Sequence, residues 1–368
     1  MKGKIKIYLQ YPWKFPDSPY YKYLVDNPPK NIEYVNVENQ KGVITNKNKF
    51  LFSNKFKGFI RNLTEKINFP IPNAHLTRTK DRYDLIHCAH CLSKNKDKPW
   101  IADFEDFWQM WISGKEKKEG IEKVRKILLE ENCKKIIPWT KFSKNEILNI
   151  FPELKKKIEI VYPAVPVKKF IRKKRRELTI IYAARYFWLK GGLVALEVLR
   201  KVKQKYPNIK IIFISDVPDK IKKKYPTITF RELMPQKELF ENMKNSDIFF
   251  YPSFIDTFGF LLLEAMSFGL PLIALYHHWG TSSVKEIIEN EKNGFIIEYR
   301  KKDPEYYKIN SEERNLINKL FEKIALLIEN KKLREKMSMN CLKIIKKGKF
   351  SIKERNKKLE RVYREALK

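Results

Sequence analysis

The sequence has few cysteines and no long uninterrupted apolar segment. Its 368 residues include only four cysteines, at positions 88, 91, 133 and 341, which give no disulfide framework and are typical of a reducing compartment. The longest apolar stretch, residues 248–279, contains Asp256, Glu264 and two prolines, so it predicts strand, turn, helix and strand and no membrane span. Residues 1–9 alternate lysine with apolar residues and lack the apolar core of a signal peptide. We therefore expect a cytoplasmic protein.

Acidic side chains are too few to balance the basic ones. The 77 lysines and arginines outnumber the 43 aspartates and glutamates, which gives a formal net charge of +34. Such a surplus repels itself unless it meets an acidic partner, and the candidates are nucleic acid, an anionic membrane surface or a phosphate-bearing ligand. With 43% hydrophobic and 13% aromatic residues, the chain has enough apolar material for packed cores, which argues against intrinsic disorder. Composition alone does not choose among the partners.

One basic segment also carries apolar residues at helical spacing. Residues 49–67 place Phe52, Phe56, Phe59 and Leu63 on one face, with lysines and an arginine between them. Two interpretations stay open. The segment is either a core helix of the first domain with a solvated face or an amphipathic helix that docks on an anionic membrane. The second would place the protein on the cytoplasmic face of the membrane.

Short apolar strands alternate with helical segments in the first part of the chain. Residues 116–130 and 143–150 have helical spacing, and strands are predicted at 4–9, 83–87, 100–102, 135–137 and 158–162. Two prolines, at 163 and 166, and seven basic residues between 168 and 176 then form the best candidate linker.

The same alternation starts again after the linker. A helix is predicted at 192–205, with strands at 178–182, 209–214, 247–251 and 271–274. Alternating strands and helices are typical of parallel α/β sheets. We therefore predict two Rossmann-like α/β domains, 1–165 and 166–340, followed by a helical segment at 341–368.

The most informative segment is 251–271. A predicted strand ends at Tyr251, a loop carries Asp256, and Gly259 opens a helix. The backbone N–H groups at a helix N-terminus favour an anion, so the turn at Phe258 and Gly259 is a candidate anion site. Glu264 follows among leucines, alanine and methionine, and a buried carboxylate needs partners, for which sugar hydroxyls are suitable.

This segment resembles the signature of retaining glycosyltransferases of family 4, the glycosyl transferases group 1, which have the GT-B fold. Their motif is two glutamates separated by seven residues, and Asp256 and Glu264 have that spacing, with the first acid one methylene shorter. The resemblance implies that Asp256 contacts hydroxyls of a donor sugar and Glu264 those of a ribose. It also implies that the N–H groups of Phe258 and Gly259 approach donor phosphate or sugar.

A second motif follows the first strand of the second domain. Ala184, Arg185, Lys190 and Gly191 resemble the Gly-Arg, four residues, Lys-Gly loop of the same family, with alanine in place of the first glycine. The resemblance implies that Arg185 and Lys190 neutralise the diphosphate of a nucleotide sugar, which a planar guanidinium fork and a mobile ammonium group can do without a metal. Gly191 would let the backbone approach the donor closely.

The first domain offers candidates for the acceptor. His87, Cys88, His90 and Cys91 end a predicted strand. A zinc site is one interpretation, although a single Cys-x2-Cys lacks its second pair. The others are structural histidines, or histidines that face the acceptor, because strand ends carry the ligand site in open α/β sheets.

Two acids follow the next predicted strand. Asp103 and Glu105 lie where many members of the family carry His-Asp. They either bind substrate hydroxyls or belong to the acid-rich start of a helix.

Together these features predict a GT-B protein, with two Rossmann-like domains facing a cleft and a C-terminal helix that crosses back to the first domain. The resemblance implies transfer of a sugar, with retention, from a nucleotide-diphospho-sugar bound by the second domain to a glycan, lipid-linked or small-molecule acceptor bound by the first. We expect no metal, no cofactor beyond the donor and no nucleic-acid partner. The alternatives are a nucleic-acid-binding protein and a non-catalytic GT-B protein.

Overall fold

The computed structural model describes residues 4–11, 19–37, 63, 69–114, 117–168, 170, 177–281 and 283–368. The described residues up to Ala164, together with those from Ile352 onward, form one compact unit, called unit 1. Those from Val165 to Ser351 form the second, called unit 2. Most of the basic segments 49–67 and 168–176 lie outside the described residues.

Unit 1 is built on a five-stranded parallel sheet with the order β2-β1-β5-β7-β9. Its strands are β1 Ile5–Gln10, β2 Ile32–Val35, β5 Leu85–Ala89, β7 Trp100–Phe104 and β9 Cys133–Pro138. Two short pairs join β3 Ile71–Pro72 to β8 Trp111–Ser113 and β4 Ala74–His75 to β6 Leu92–Ser93. The helices are α1 Pro19–Asp26, α2 Lys118–Leu129 and α3 Lys141–Ile150. Every residue of β5 and β7 is buried, as is typical of the central strands of a parallel sheet.

Unit 2 contains a six-stranded parallel sheet with the order β12-β11-β10-β13-β14-β15. The strands are β10 Thr179–Ala183, β11 Lys210–Ile214, β12 Thr229–Arg231, β13 Ile248–Tyr251, β14 Leu272–His277 and β15 Gly294–Tyr299. The helices are α4 Gly192–Lys205, α5 Asp219–Lys222, α6 Gln236–Lys244, α7 Phe260–Ser267, α8 Val284–Ile287, α9 Ser311–Glu329 and α10 Lys331–Lys347. The chain order reverses between β10 and β13, and ligands bind at that place in Rossmann-like sheets.

The two parallel sheets confirm the predicted fold class, although individual elements differ from the prediction. The predicted strand 158–162 is wrong, since only Ile158 forms an isolated bridge, to Ile136. Pro163 lacks an N–H group and cannot extend that ladder. The pattern also missed α1, β2 and β12, which are short. It missed β15 as well, because its first residue, Gly294, favours a turn.

The final helix, α11 Ile352–Ala366, belongs to unit 1, although α9 and α10 precede it in unit 2. The Tyr363 hydroxyl lies 2.8 Å from Nδ1 of His87 and 2.9 Å from the Tyr34 hydroxyl. The buried guanidinium of Arg355 donates to the carbonyl oxygens of Tyr23 (3.2 Å) and Asn27 (2.5 Å). These bonds confirm the expected return of the chain to the first domain. Within the described ranges, no helix has the length and apolar character needed to cross a membrane.

We predict that Tyr363→Phe destabilises the protein by about 1–3 kcal/mol, because it leaves buried polar atoms of His87 and Tyr34 without their shared partner. Urea denaturation at pH 7 measures the change in the free energy of unfolding. Tyr307→Phe is the matched control, since Tyr307 is 66% exposed. Equal unfolding midpoints for the two variants would contradict the proposed anchoring of α11.

Candidate functional site

The loops that follow β10 and β13 leave the unit 2 sheet at the same edge. The two strands pair in parallel through Ile180 with Ile248 and Ile181 with Phe249, so their carboxyl ends lie side by side. Gly191 ends the first loop with a φ of +69°, and a Cβ atom there would lie 1.9 Å from the carbonyl oxygen of Pro252 in the second. The left-handed conformation and this close approach both require glycine. The predicted residues Arg185, Lys190, Asp256 and Gly259 therefore belong to two loops in direct contact.

Lys190 and Asp256 form the centre of this contact. The Lys190 ammonium donates to the carbonyl oxygen of Ile255 at 2.6 Å and lies 3.4 Å from Oδ2 of Asp256. The Tyr251 hydroxyl donates to the same Oδ2 at 2.6 Å. Burial and the Asp256 carboxylate raise the pKa of Tyr251 well above its ordinary value, so its hydroxyl stays a donor. Sequence reasoning missed the role of Tyr251, which looked like an ordinary strand end.

The anion site predicted from the sequence would lie at the start of α7. Gly259 is the N-cap residue, with a φ of +88°, and no side chain in the described ranges caps this helix. Phe258 is buried, and its carbonyl oxygen accepts a bond from the Ser283 hydroxyl at 2.7 Å. The backbone donors of a first turn and the positive end of the helix dipole favour a phosphate or a sugar oxygen here.

Glu264 lies one turn further along α7 and is buried, with 4% of its surface exposed. Nε2 of Gln236 donates to its Oε1 atom at 2.7 Å. An amide from the first turn of α6 therefore provides one of the hydrogen-bond partners that we predicted for this buried carboxylate. No local sequence pattern links two residues that are 28 positions apart, so Gln236 could not be predicted as the partner of Glu264.

Arg185 and Ala184 begin the loop after β10. Ala184 is buried, and its N–H group donates to the carbonyl oxygen of Ile214 at 3.0 Å, which ties the loop to β11. Arg185 is half-buried, and its guanidinium lies 5.9 Å from the ring centre of Tyr186. Arg185 therefore adds a second cation to the loop that holds Lys190.

A third loop, after β14, closes against the same edge. The N–H group of Asp256 donates to the carbonyl oxygen of Gly280 at 2.6 Å. The buried His277 side chain contacts the carbonyl oxygens of Phe254 (3.0 Å) and Lys301 (2.8 Å) through its two ring nitrogens. Residues 277–280 therefore hold the loop that carries Asp256, which sequence reasoning did not anticipate.

The acceptor-side candidates in unit 1 divide into two buried and two half-buried residues. His87 and Asp103 are fully buried, with Nε2 of His87 3.0 Å from Oδ2 of Asp103. Oδ1 of Asp103 accepts bonds from the Tyr21 hydroxyl at 2.5 Å and from the N–H group of His90 at 3.3 Å. Burial alone would raise the pKa of Asp103, but His87, His90 and Tyr21 outweigh it and hold that pKa below its usual range.

His90 and Glu105 are the two half-buried candidates. Nδ1 of His90 lies 2.7 Å from Oε1 of Gln109. The same Oε1 accepts a bond from the backbone N–H group of Glu105 at 3.0 Å. The structure thus brings His90 and the loop of Glu105 together through a residue that sequence reasoning did not single out.

The cysteines near these histidines do not form a metal site. In the part of the chain that the structure describes, no cluster of three or more histidine, cysteine or acidic side chains could hold a metal ion. Cys88 and Cys91 are buried in unit 1, and burial raises the pKa of the Cys88 thiol well above its ordinary value. The zinc interpretation of residues 87–91 therefore has no support in this geometry.

Comparison with known proteins places the second half of the chain in a family. Residues 166–343 match the model described as glycosyl transferases group 1. A glycosyltransferase of Haemophilus influenzae, described as uncharacterized, is 26% identical over 219 residues, which is 58% of this chain and 57% of that protein. The chain thus spans less than two thirds of this relative's length.

Two solved structures illustrate the likeness in fold. A glycosyltransferase from Rickettsia africae ESF-5 is similar over 100% of both chains, with a TM-score of 0.65 and 16% identity. The pneumococcal O-GlcNAc transferase GtfA, solved in complex with UDP and GlcNAc, is similar over 84% of this chain and 60% of its own, with a TM-score of 0.58 and 17% identity. At these identities the likeness shows the fold alone.

We predict that Asp103→Asn lowers stability at pH 7 by about 1–3 kcal/mol, because Asp103 is a buried hydrogen-bond acceptor. Since folding lowers the pKa of Asp103, its stabilisation is present above the unfolded pKa of about 4 and is lost as the pH falls through the folded pKa. Between pH 5 and pH 3 the variant should therefore lose less stability than the wild type, by at most about 1 kcal/mol for one carboxyl group. Urea denaturation across this range tests the claim, with the exposed Asp26→Asn as the control. An unchanged pH slope in Asp103→Asn would refute it.

Proposed function

The chain belongs to the glycosyl transferases group 1 family through residues 166–343, and on this premise we propose that it is a retaining glycosyltransferase. It transfers a sugar from a nucleotide-diphospho-sugar to an acceptor hydroxyl. One observation carries the proposal. The Arg185–Lys190 loop and the Asp256–Glu264 segment, about 70 residues apart in sequence, touch at the edge where the strand order of unit 2 reverses.

Lys190 and Arg185 neutralise the donor diphosphate in this proposal. In the structure the Lys190 ammonium is held by a carbonyl oxygen and by the Asp256 carboxylate, so it is already at the edge where a phosphate would bind. As the bond between the anomeric carbon and the diphosphate breaks, negative charge grows on the leaving group, and two fixed cations stabilise it most at that moment. This charge compensation makes a metal ion unnecessary for the step.

The two acids bind different hydroxyls of the donor. Glu264, fixed through Oε1 by Gln236, binds the ribose, and Asp256 binds the transferred sugar. Tyr251 and Lys190 both lie against Oδ2 of Asp256, which leaves Oδ1 as the oxygen for a sugar hydroxyl. The N–H groups at Phe258 and Gly259, with the backbone at Ala184 and Gly191, complete the donor contacts. Because the GtfA structure contains UDP, we take UDP-sugars as the first donors to test.

Unit 1 supplies the acceptor contacts. His90 and Glu105 are half-buried and can reach a ligand, whereas the fully buried His87 and Asp103 support them. The acceptor carries the hydroxyl that becomes glycosylated, on a glycan, a lipid-linked sugar or a small molecule. The net charge of +34 favours binding to an anionic membrane surface, which we propose is the cytoplasmic face of the membrane.

We predict that Arg185→Ala, Lys190→Ala and Glu264→Ala each reduce donor turnover by about 10²–10³-fold, as expected when one stabilising contact to developing charge or a buried donor contact is lost. Slow hydrolysis of a panel of nucleotide sugars, followed by release of the nucleotide diphosphate, measures this. Lys203→Ala is the control, because Lys203 is a half-buried lysine on α4 whose ammonium donates to the carbonyl oxygen of Pro207, a residue outside both loops.

Wild-type turnover in all three variants would contradict the assignment. Nucleic-acid binding that weakens steeply with salt and is indifferent to Glu264→Ala would favour the nucleic-acid-binding alternative.

A further inference from the structure

His90 is held by its backbone in an uncommon conformation. It directly follows β5 with a φ of +54°. Its N–H group donates to the carbonyl oxygen of Asp103 at 3.2 Å and to Oδ1 of the same residue at 3.3 Å. Its carbonyl oxygen accepts a bond from Nδ2 of Asn73 at 2.8 Å. Such a conformation in a residue other than glycine is maintained only where the surroundings fix it, and such sites cluster at functional positions.

The imidazole ring of His90 is anchored by Gln109. Gln109 is the third residue of the short helix Phe107–Met110, and with Asp106 it forms a capping box. Its side-chain oxygen accepts bonds from the backbone N–H groups of Glu105 at 3.0 Å and Asp106 at 3.2 Å. Because two N–H donors point at this atom, it must be the amide oxygen and not the amide nitrogen.

The identity of that atom settles which ring nitrogen of His90 carries the proton. Nδ1 lies 2.7 Å from the Gln109 oxygen, and an oxygen that faces Nδ1 requires Nδ1 to donate. In the neutral ring Nε2 is then a bare acceptor. Burial lowers the pKa of His90, which favours the neutral ring near pH 7.

The other ring nitrogen stays open to a ligand. Among the described residues no group bonds to Nε2 of His90, and the residue is half-buried. The rings of Tyr21 and Trp139 stand edge-on to the imidazole, at centroid distances of 5.4 Å and 4.8 Å. These aromatic walls restrict rotation of the ring, so Nε2 keeps one direction.

We infer that Gln109 is a positioning residue that fixes His90 in the Nδ1–H tautomer, so that its bare Nε2 accepts a hydrogen bond from a hydroxyl of the acceptor. The tautomer follows from the geometry alone, and the role in substrate binding rests on the proposed function. A bare Nε2 favours a hydroxyl group, which can donate a hydrogen bond to it. It disfavours a group that can only accept hydrogen bonds, since two hydrogen-bond acceptors would then face each other.

The ¹⁵N NMR spectrum of the histidine side chains tests the tautomer without any substrate. The chain has five histidines, and His90→Gln identifies the signals of His90. We expect a protonated Nδ1 and an unprotonated Nε2 in the wild type at pH 7.5, and a shift toward the Nε2–H tautomer in Gln109→Leu. Asp106→Ala is the matched control, because it breaks the other half of the same capping box and leaves the bond between Gln109 and His90 in place. An Nε2–H ring in the wild type, or an unchanged ring in Gln109→Leu, would overturn the inference.

Kinetics separate the positioning role from a structural one. Gln109→Leu should raise the KM for the acceptor about tenfold, equivalent to one lost hydrogen bond at about 1.4 kcal/mol per factor of ten, while slow donor hydrolysis keeps its wild-type rate. An unchanged acceptor KM would overturn the substrate role of His90. If the wild type hydrolyses no nucleotide sugar, the proposed function fails, whereas the tautomer result stands or falls by the NMR spectrum.

A charged replacement provides a second readout. Gln109→Glu keeps an acceptor beside Nδ1 but places a carboxylate there, in addition to Asp103. This favours the imidazolium, so the acidic limb of the activity profile should move to higher pH. The other polar and titratable groups that act on the ring are Asp103 on β7, His87 on β5 and Tyr21 on α1, and all of them are unchanged in this variant. An acidic limb that stays at its wild-type position would contradict the assignment.

Discussion

The contact between the loops after β10 and β13 is the constraint on which the candidate site depends. Gly191 lets the first loop approach the carbonyl oxygen of Pro252 in the second, at a distance that no side chain would allow. That approach places the Lys190 ammonium beside Asp256 and the carbonyl oxygen of Ile255. Without it, the two motifs would be separate features of one sheet. With it, cations, a carboxylate and a helix N-terminus share one edge, which is the chemistry that the proposed binding of a sugar diphosphate needs.

The same physical principle operates in unit 1, where a carboxylate organises a strand end. Asp103 is fully buried and bonds to His87, to Tyr21 and to the backbone of His90. Through His87 this network continues to Tyr363 on the final helix. The tail of the chain and the half-buried His90 thus depend on the same buried acid. In both units a polar group at the carboxyl end of a parallel strand is held by partners that are far away in sequence.

The sequence predicted what depends on local pattern and missed what depends on distant partners. The α/β alternation and the spacing of Arg185, Lys190, Asp256 and Glu264 were visible because helices, turns and motif loops are encoded by neighbours. Short elements such as β12, with three residues, carry too little periodicity to detect. Gln236, the partner of Glu264, was not predictable, because only the fold brings it there. Tyr251 lies close to Asp256 in sequence, but a strand end gives no sign that its hydroxyl bonds to the loop that follows. The pairing of the His87 and Asp103 candidates was likewise invisible until β5 and β7 were placed side by side.

Calorimetric titration with UDP and with uridine shows whether this edge of unit 2 binds a nucleotide through its diphosphate. The wild type should bind UDP about 10-fold or more tightly than uridine, since charge-assisted bonds to phosphate contribute about 1.5–3 kcal/mol each. Lys190→Ala should remove most of that difference and leave uridine binding unchanged. Equal affinities for UDP and uridine in the wild type, or a preference for UDP that survives in Lys190→Ala, would rule out diphosphate binding by Lys190 at this edge.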